Sequence, residues 1–332
     1  MYKSAIAVLS IVGTVIGSGF LSGKEIVVFF SRFGILSFPC IVFACLFFYL
    51  LFIYFLQHGD KFVQKFEKSK VFCIFNLVIA IIISSAMFAG CDNGLPSVEI
   101  KWIFFIIVIF ISILITRKGL SRLGKINFVL VPIMIGVLIF CIFSKINFED
   151  KLFIANEYSI FSIFYCILYV FFNISTSILL ISKLGQTLSD KQKVRVGIIS
   201  ALALCILLLI ANFLLLQNVH AFGQDMPLIF LFEGGKLFVM RFVILLGCVT
   251  TLFSLVYTSS NCLRGLCKND FFVVLISVFL PFAISFWGFG NIVSFLYPLS
   301  SMLSLMLLGY LFVVPLFKRA YAKIHSSGKN TK

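Results

Sequence analysis

Apolar runs of 18 or more residues recur from one end of this chain to the other. Each is long enough to cross a hydrocarbon core of about 30 Å as an α-helix. Within a bilayer the backbone must satisfy its own polar groups, so helices or closed barrels are the only spanning solutions. A barrel needs short segments of alternating polarity, which this sequence lacks. The expectation is therefore an all-α polytopic membrane protein. Charge agrees: 12% of residues are Asp, Glu, Lys or Arg and 61% are hydrophobic, against about 25% charged in a soluble domain.

The runs divide into ten candidate spans, at about 5–30, 35–57, 71–90, 101–116, 126–144, 159–182, 194–217, 237–260, 270–288 and 290–317. The whole chain, 1–332, is read as a single transmembrane domain. It comprises a first five-span half at about 5–144, a second at about 159–317, and a basic tail over 318–332. The first span has Lys3 and small residues, as a signal peptide would. It runs on past residue 30 and is read as retained.

Basic residues should concentrate in the cytoplasmic loops. Alternate loops, with both termini, hold 20 of the 27 Lys and Arg, and the opposite set holds 5: Lys101, Lys145, Lys151, Lys236 and Arg241. Both termini are therefore expected in the cytoplasm, in the plasma (inner) membrane of a bacterial-type cell. The net charge of +15 is an orientation signal beside anionic lipid. It is split among short separate loops, so no nucleic-acid partner is expected.

Most of the ten cysteines, Cys40, Cys45, Cys141 and Cys166 among them, lie inside spans, where Cys acts as a small apolar residue. The histidines, His58, His220 and His325, are too scattered for a metal site. No GxSxG, Walker A, HExxH or paired-carboxylate pattern appears, so the chain is not expected to be an enzyme.

The first span is unlike the others. In "VGTVIGSGFLSGKEIVVFF", Gly13, Gly17, Gly19 and Gly23 fall close together, followed by Lys24 and Glu25 among apolar neighbours. Glycine at this spacing serves close helix packing or an unwound segment that lines a cavity. Ionisable groups inside a span are costly and face a cavity or each other. Adjacent helical residues diverge by about 100°, so Lys24 and Glu25 cannot point the same way; Arg32 is a possible partner for one of them. The sixth span carries the second interruption, Asn173, Ser175, Thr176 and Ser177. Hydroxyls can also bond back within their own helix.

"GTVIGSGFLSGKEIVVFFSRFG" resembles the start of the YkvI-like bacterial membrane proteins, read as amino acid permeases of the amino acid–polyamine–organocation superfamily. The resemblance implies a LeuT-type fold, with two inverted five-helix repeats and helices 1 and 6 broken at the substrate site. It implies a secondary transporter of a small amino acid or related solute, working by alternating access. The first break would offer the amides of Gly17, Ser18 and Gly19 to a substrate carboxylate. The facing break would contribute Phe172, Asn173 and Ser175, with Ser84 and Ser85 as side-wall candidates.

The same resemblance implies a sodium site, with carbonyls from Gly13 and Ile16 meeting Gly247, Thr250 and Thr251 in the eighth span. Positions i, i+3 and i+4 share one helix face. Ordinary helix–helix hydrogen bonding by the two threonines is the other reading. The fifth span lacks the lysine that replaces this ion in some proton-driven relatives, which favours sodium over protons. Glu25 is the candidate for proton coupling; a structural ion pair near the outer mouth is the other reading. No organic cofactor is implied; the partners are a small-molecule substrate and the bilayer. A nutrient-sensing receptor subunit with a permease-like fold, binding without transporting, is the alternative. The external segment "NVHAFGQDMPLIFLFEGGK" fits a short lid helix over the outer vestibule, with Asp225 or Glu233 nearby; a plain exposed loop is the other reading.

Overall fold

The computed structural model describes residues 2–66, 69–95, 98–118, 123–155 and 160–310. The basic tail and the loop around Ser121 lie outside them. The described residues contain helices and turns and no strand. Six helices combine the length and hydropathy needed to cross a membrane, at Ser31–Gly59, Lys70–Asp92, Phe161–Thr187, Asp190–Gln217, Gly234–Leu266 and Phe289–Tyr310. Four shorter apolar helices, Lys3–Val15, Lys101–Leu114, Leu130–Phe143 and Asp270–Ser285, stand at the first, fourth, fifth and ninth expected spans.

The first span is in three pieces: α1 (Tyr2–Val15), α2 (Ser18–Ser22) and α3 (Lys24–Phe29). Between α1 and α2 the chain extends, with Gly17 at φ −90°, ψ −174°. Between α2 and α3, Gly23 takes φ +80°, the left-handed region where a Cβ is penalised. A 3₁₀ turn at Ser31–Leu36, with Gly34 at φ +61°, leads into α4 (Ser37–Phe66). There follow α5 (Lys70–Gly94), α6 (Val98–Lys118) and α7 (Leu123–Phe143).

The second half opens with α8 (Phe161–Thr187), then α9 (Asp190–Gln217) and the short α10 (Pro227–Phe230). It continues with α11 (Gly234–Leu266), α12 (Asp270–Ser285) and α13 (Phe289–Tyr310). Both α12 and α13 contain a single π-helical turn, at Leu275–Phe279 and Ile292–Leu296.

The sixth span departs from expectation. α8 is a continuous helix over all its 27 residues, with no break at Asn173–Ser177. The reason is local: Thr176 and Ser177 donate to the Asn173 carbonyl at 2.9 and 2.6 Å, and Ser175 donates to the Phe172 carbonyl at 2.9 Å. Each hydroxyl satisfies itself against the preceding turn, so the helix has no orphan group that would force it open.

Corresponding helices of the two halves pack together: α1 against α8, α4 against α9, α5 against α11. Around the first and sixth spans, α4 also lies along α8, close enough that a Cβ on Gly185 would strike the Leu56 carbonyl. The second group gathers α5, α6, α7 and α12 about α11. Large side chains left exposed, such as Ile106, Phe140 and Phe238 (66%, 67% and 73%), belong to the faces of these helices that lipid would cover.

Candidate functional site

Unwinding after Val15 frees backbone groups at the middle of the bundle. The Ile16 amide still donates to the Val12 carbonyl at 2.9 Å, but the Gly17 amide turns back to Val15 at 3.0 Å. The carbonyls of Gly13, Thr14 and Ile16 thereby lose the i+4 donors that a continuous helix would give them. The amides of Ser18, Gly19 and Phe20 form the first turn of α2 and have no helical acceptor. Polar backbone of this kind is stable at membrane depth only beside a cavity or buried in protein.

A cavity of about 110 Å³ adjoins the break. Gly13, Ile16, Gly17, Gly19 and Glu25 line it from the first span. Phe172, Asn173 and Thr176 line it from α8, and Thr250, Thr251 and Ser254 from α11. Met87 on α5, Met134 on α7 and Tyr297 on α13 complete the wall. Roughly 10–15 Å³ holds one water, so the space suits a small solute rather than a lone ion.

Ten of the residues singled out in the sequence, Thr176 among them, thus meet on one cavity, and Ser18, Ser175 and Gly247 lie behind its wall. The Ser18 hydroxyl donates to Met87 Sδ at 3.1 Å. The Ser175 hydroxyl pairs with Ser304 at 2.7 Å, joining α8 to α13. Gly247 is packed under Met134 and Leu21, whose nearest atoms would lie 2.9 and 3.1 Å from an added Cβ. Ser84 and Ser85 are also buried off the cavity; Ser85 bonds back to the Ile82 carbonyl at 2.7 Å. Tyr297 was not legible from the sequence. It is one tyrosine in a distant span, with no motif to mark it, and folding alone brings it here.

The glycines of the break differ in kind. An added Cβ on Gly17 would meet nothing within 4 Å, and its backbone is one any residue adopts. Gly17 therefore keeps the cavity open. At Gly13 a Cβ would lie 2.5 Å from a Val131 methyl, so there glycine serves the approach of α1 to α7. At Gly19 it would collide with the Glu25 carboxylate and lie 3.3 Å from Tyr297.

Thr250 donates to the Leu246 and Gly247 carbonyls at 3.0 and 3.2 Å, as a helix hydroxyl ordinarily does. Its oxygen retains acceptor capacity. Thr250 and Thr251 share a cavity with the freed carbonyls of Gly13 and Ile16. Among the described residues, no cluster of three or more His, Cys, Asp or Glu could hold a metal ion. A cation here would depend on neutral oxygens, which suit hard ions such as sodium.

On the lid side, Lys24 Nζ donates to the carbonyls of Phe222 and Gln224 at 3.2 and 2.8 Å, and Asp225 adds an attractive charge. Leu228 of α10 packs on Gly23, and Asp225 fills the space beside Gly290. The segment between α9 and α11 thus forms the short lid expected from its turn residues, resting on α2 and α13. Glu233 stands apart as the exposed residue before α11. Arg32 does not pair with Glu25; its guanidinium lies 3.8 Å from the centre of the Tyr165 ring.

A helical bundle of paired halves, with a first span unwound at a buried cavity, is a membrane protein of the LeuT-type fold. The comparisons agree. The inward-facing conformation of Mhp1, itself of LeuT-type fold, superposes with a TM-score of 0.63 at 10% identity, covering 94% of this chain and 77% of that one. In sequence, the chain is similar to two proteins of Bacillus subtilis (strain 168). One is the uncharacterized membrane protein YkvI, 24% identical over 332 residues, 90% of this chain and 92% of YkvI. The other is the uncharacterized protein YyaD, 22% identical over 329 residues, 94% of this chain and 96% of YyaD. The resemblance to YkvI-like proteins noted at the first span therefore extends along nearly the whole chain. No protein-family model matches it.

Proposed function

We propose that the chain is a secondary active transporter of a small amino acid or related solute, working by alternating access. The observation that carries this reading is the unwound segment at Ile16–Gly17, facing a cavity between the two halves. A packing helix has no use for freed carbonyls and amides beside a cavity, whereas a solute or ion can occupy them. The lid closes over α2, while Thr14 on the opposite side of the break is exposed and lines the same cavity. That asymmetry supports a state open toward the side of the N-terminus, which the charge distribution puts in the cytoplasm. The likeness to the inward-facing conformation of Mhp1 supports the same reading.

In this reading, coupling runs through a sodium ion held by Gly13, Ile16, Thr250 and Thr251, with Gly247 behind them. Such an ion ties the first span to the eighth, so it favours one arrangement of the two halves. Substrate and sodium then strengthen each other's binding by the same factor. The Gly17 amide is taken by the Val15 carbonyl, so Ser18 and Gly19 present their free backbone amides to the solute, and Phe172 and Asn173 face them from α8. The membrane is the plasma membrane, with both termini cytoplasmic.

Counterflow of labelled amino acids into proteoliposomes, in sodium and in choline medium, tests the proposal. Exchange that requires sodium supports it. Saturable binding without counterflow would instead identify a nutrient-sensing receptor subunit. Counterflow that is indifferent to replacing sodium by choline would shift the coupling to Glu25.

A further inference from the structure

Glu25 sits on the cavity without a counter-charge. Only 3% of the residue is exposed, and among the described residues its Oε1 has no hydrogen-bond partner. Lys24, the adjacent base, is committed to the lid carbonyls at 3.2 and 2.8 Å. The ion pairs among the described residues join Lys101 to Asp92, Lys193 to Asp190 and Arg264 to Asp270, and none reaches Glu25. Asn173 approaches the carboxylate as a neutral amide, and the phenols of Tyr169 and Tyr297 lie close enough to feel its charge. A carboxylate this deep costs several kcal/mol unless a partner compensates it. Among the described residues no cationic group pairs with it; a cation bound in the cavity would compensate it.

The surroundings favour an organic cation. Phe172 and Tyr297 both line the cavity, with ring centroids 4.9 Å apart. Aromatic faces attract ammonium groups. The hydroxyls suited to a bare metal cation belong to Thr250 and Thr251 on α11, whereas the neighbours of Glu25 named above belong to α8 and α13.

We propose that Glu25 binds the protonated amine of the solute, with the rings of Phe172 and Tyr297 beside it. The ligand class is then a small primary amine, with or without a carboxylate. This deepens the transport reading by resting on the same cavity as the solute site, but it requires binding alone.

Titration calorimetry on purified protein, with n-propylammonium and propionate as probes, separates the possibilities. Expected are saturable binding of n-propylammonium, little or none of propionate, and a loss of about tenfold or more in amine affinity in Glu25→Gln. Glu25→Asp should keep the preference for the amine at reduced affinity. Propionate binding in preference to the amine would overturn the proposal. So would a folded Glu25→Gln protein with unchanged amine affinity, which would leave Glu25 as a proton carrier. If Glu25→Gln does not fold, the wild-type preference between the two probes, checked with Glu25→Asp, decides. Amine binding without counterflow would keep this assignment and end the transport reading.

Discussion

Lys24 and Glu25 are neighbours in sequence and face opposite ways from one short helix. The Lys24 ammonium reaches up to the lid at Phe222 and Gln224, while the Glu25 carboxylate reaches into the cavity beside Tyr297. One dipeptide therefore joins the closure of the lid to the contents of the cavity.

Removing the lysine should loosen the lid. Lys24→Met deletes two hydrogen bonds from a charged donor, each worth about 1.5–3 kcal/mol at most, and leaves two carbonyls to find other partners. Thermal unfolding in detergent should fall by several degrees. A cysteine placed at Gly17 should become more reactive to reagent added from the lid side. Unchanged reactivity in the Lys24→Met background would show that the two carbonyl contacts do not hold the lid.

The glycines should separate by role. Gly17→Ala should fold normally, because its Cβ meets open space; Gly17→Leu should abolish solute binding while leaving expression intact. Gly19→Ala should disturb binding through Glu25 and Tyr297, which its Cβ would displace. Ligand-induced thermal shifts on the three proteins check the order. Equal behaviour of Gly17→Ala and Gly17→Leu would contradict it.

Gly23 has a conformational requirement. At φ +80°, with Leu228 packed against it, Gly23→Ala should cost about 1–2 kcal/mol from backbone strain alone and more from the displaced leucine. A melting temperature equal to wild type would mean that the α2–α3 joint rearranges freely.

If sodium occupies the oxygens proposed for it, Thr250→Ala and Thr251→Ala should each raise the sodium concentration for half-maximal uptake. Solute affinity at saturating sodium should fall less. Uptake titrated with sodium at fixed ionic strength measures both. A Thr251→Ala protein with wild-type sodium dependence would end this assignment.

Orientation can be tested without any substrate. Ser121→Cys lies in a loop read as cytoplasmic from its basic residues. It should react with an impermeant maleimide in inverted vesicles and not in intact cells. Labelling from outside would reverse the topology.

The sequence alone determined the class and marked where the first span could open, leaving helix packing as the other reading until the folded backbone decided it. Long apolar runs leave the backbone no spanning solution but helices, and four glycines in a short stretch cannot propagate one helix cheaply. Chain position also placed the lid, since turn residues bracket it. The sixth span marks the limit of such reading. Its Ser and Thr residues look like an interruption in one dimension, but their hydroxyls close back on α8 and leave it continuous. Whether a polar residue opens a helix depends on which acceptor lies within reach, and only the folded backbone settles that. Tertiary structure likewise decided that Ser18, Ser175 and Gly247 turn away from the cavity while Tyr297 enters it. Sequence spacing fixes which residues share a helix face; the rotation of each helix against its neighbours decides what that face sees.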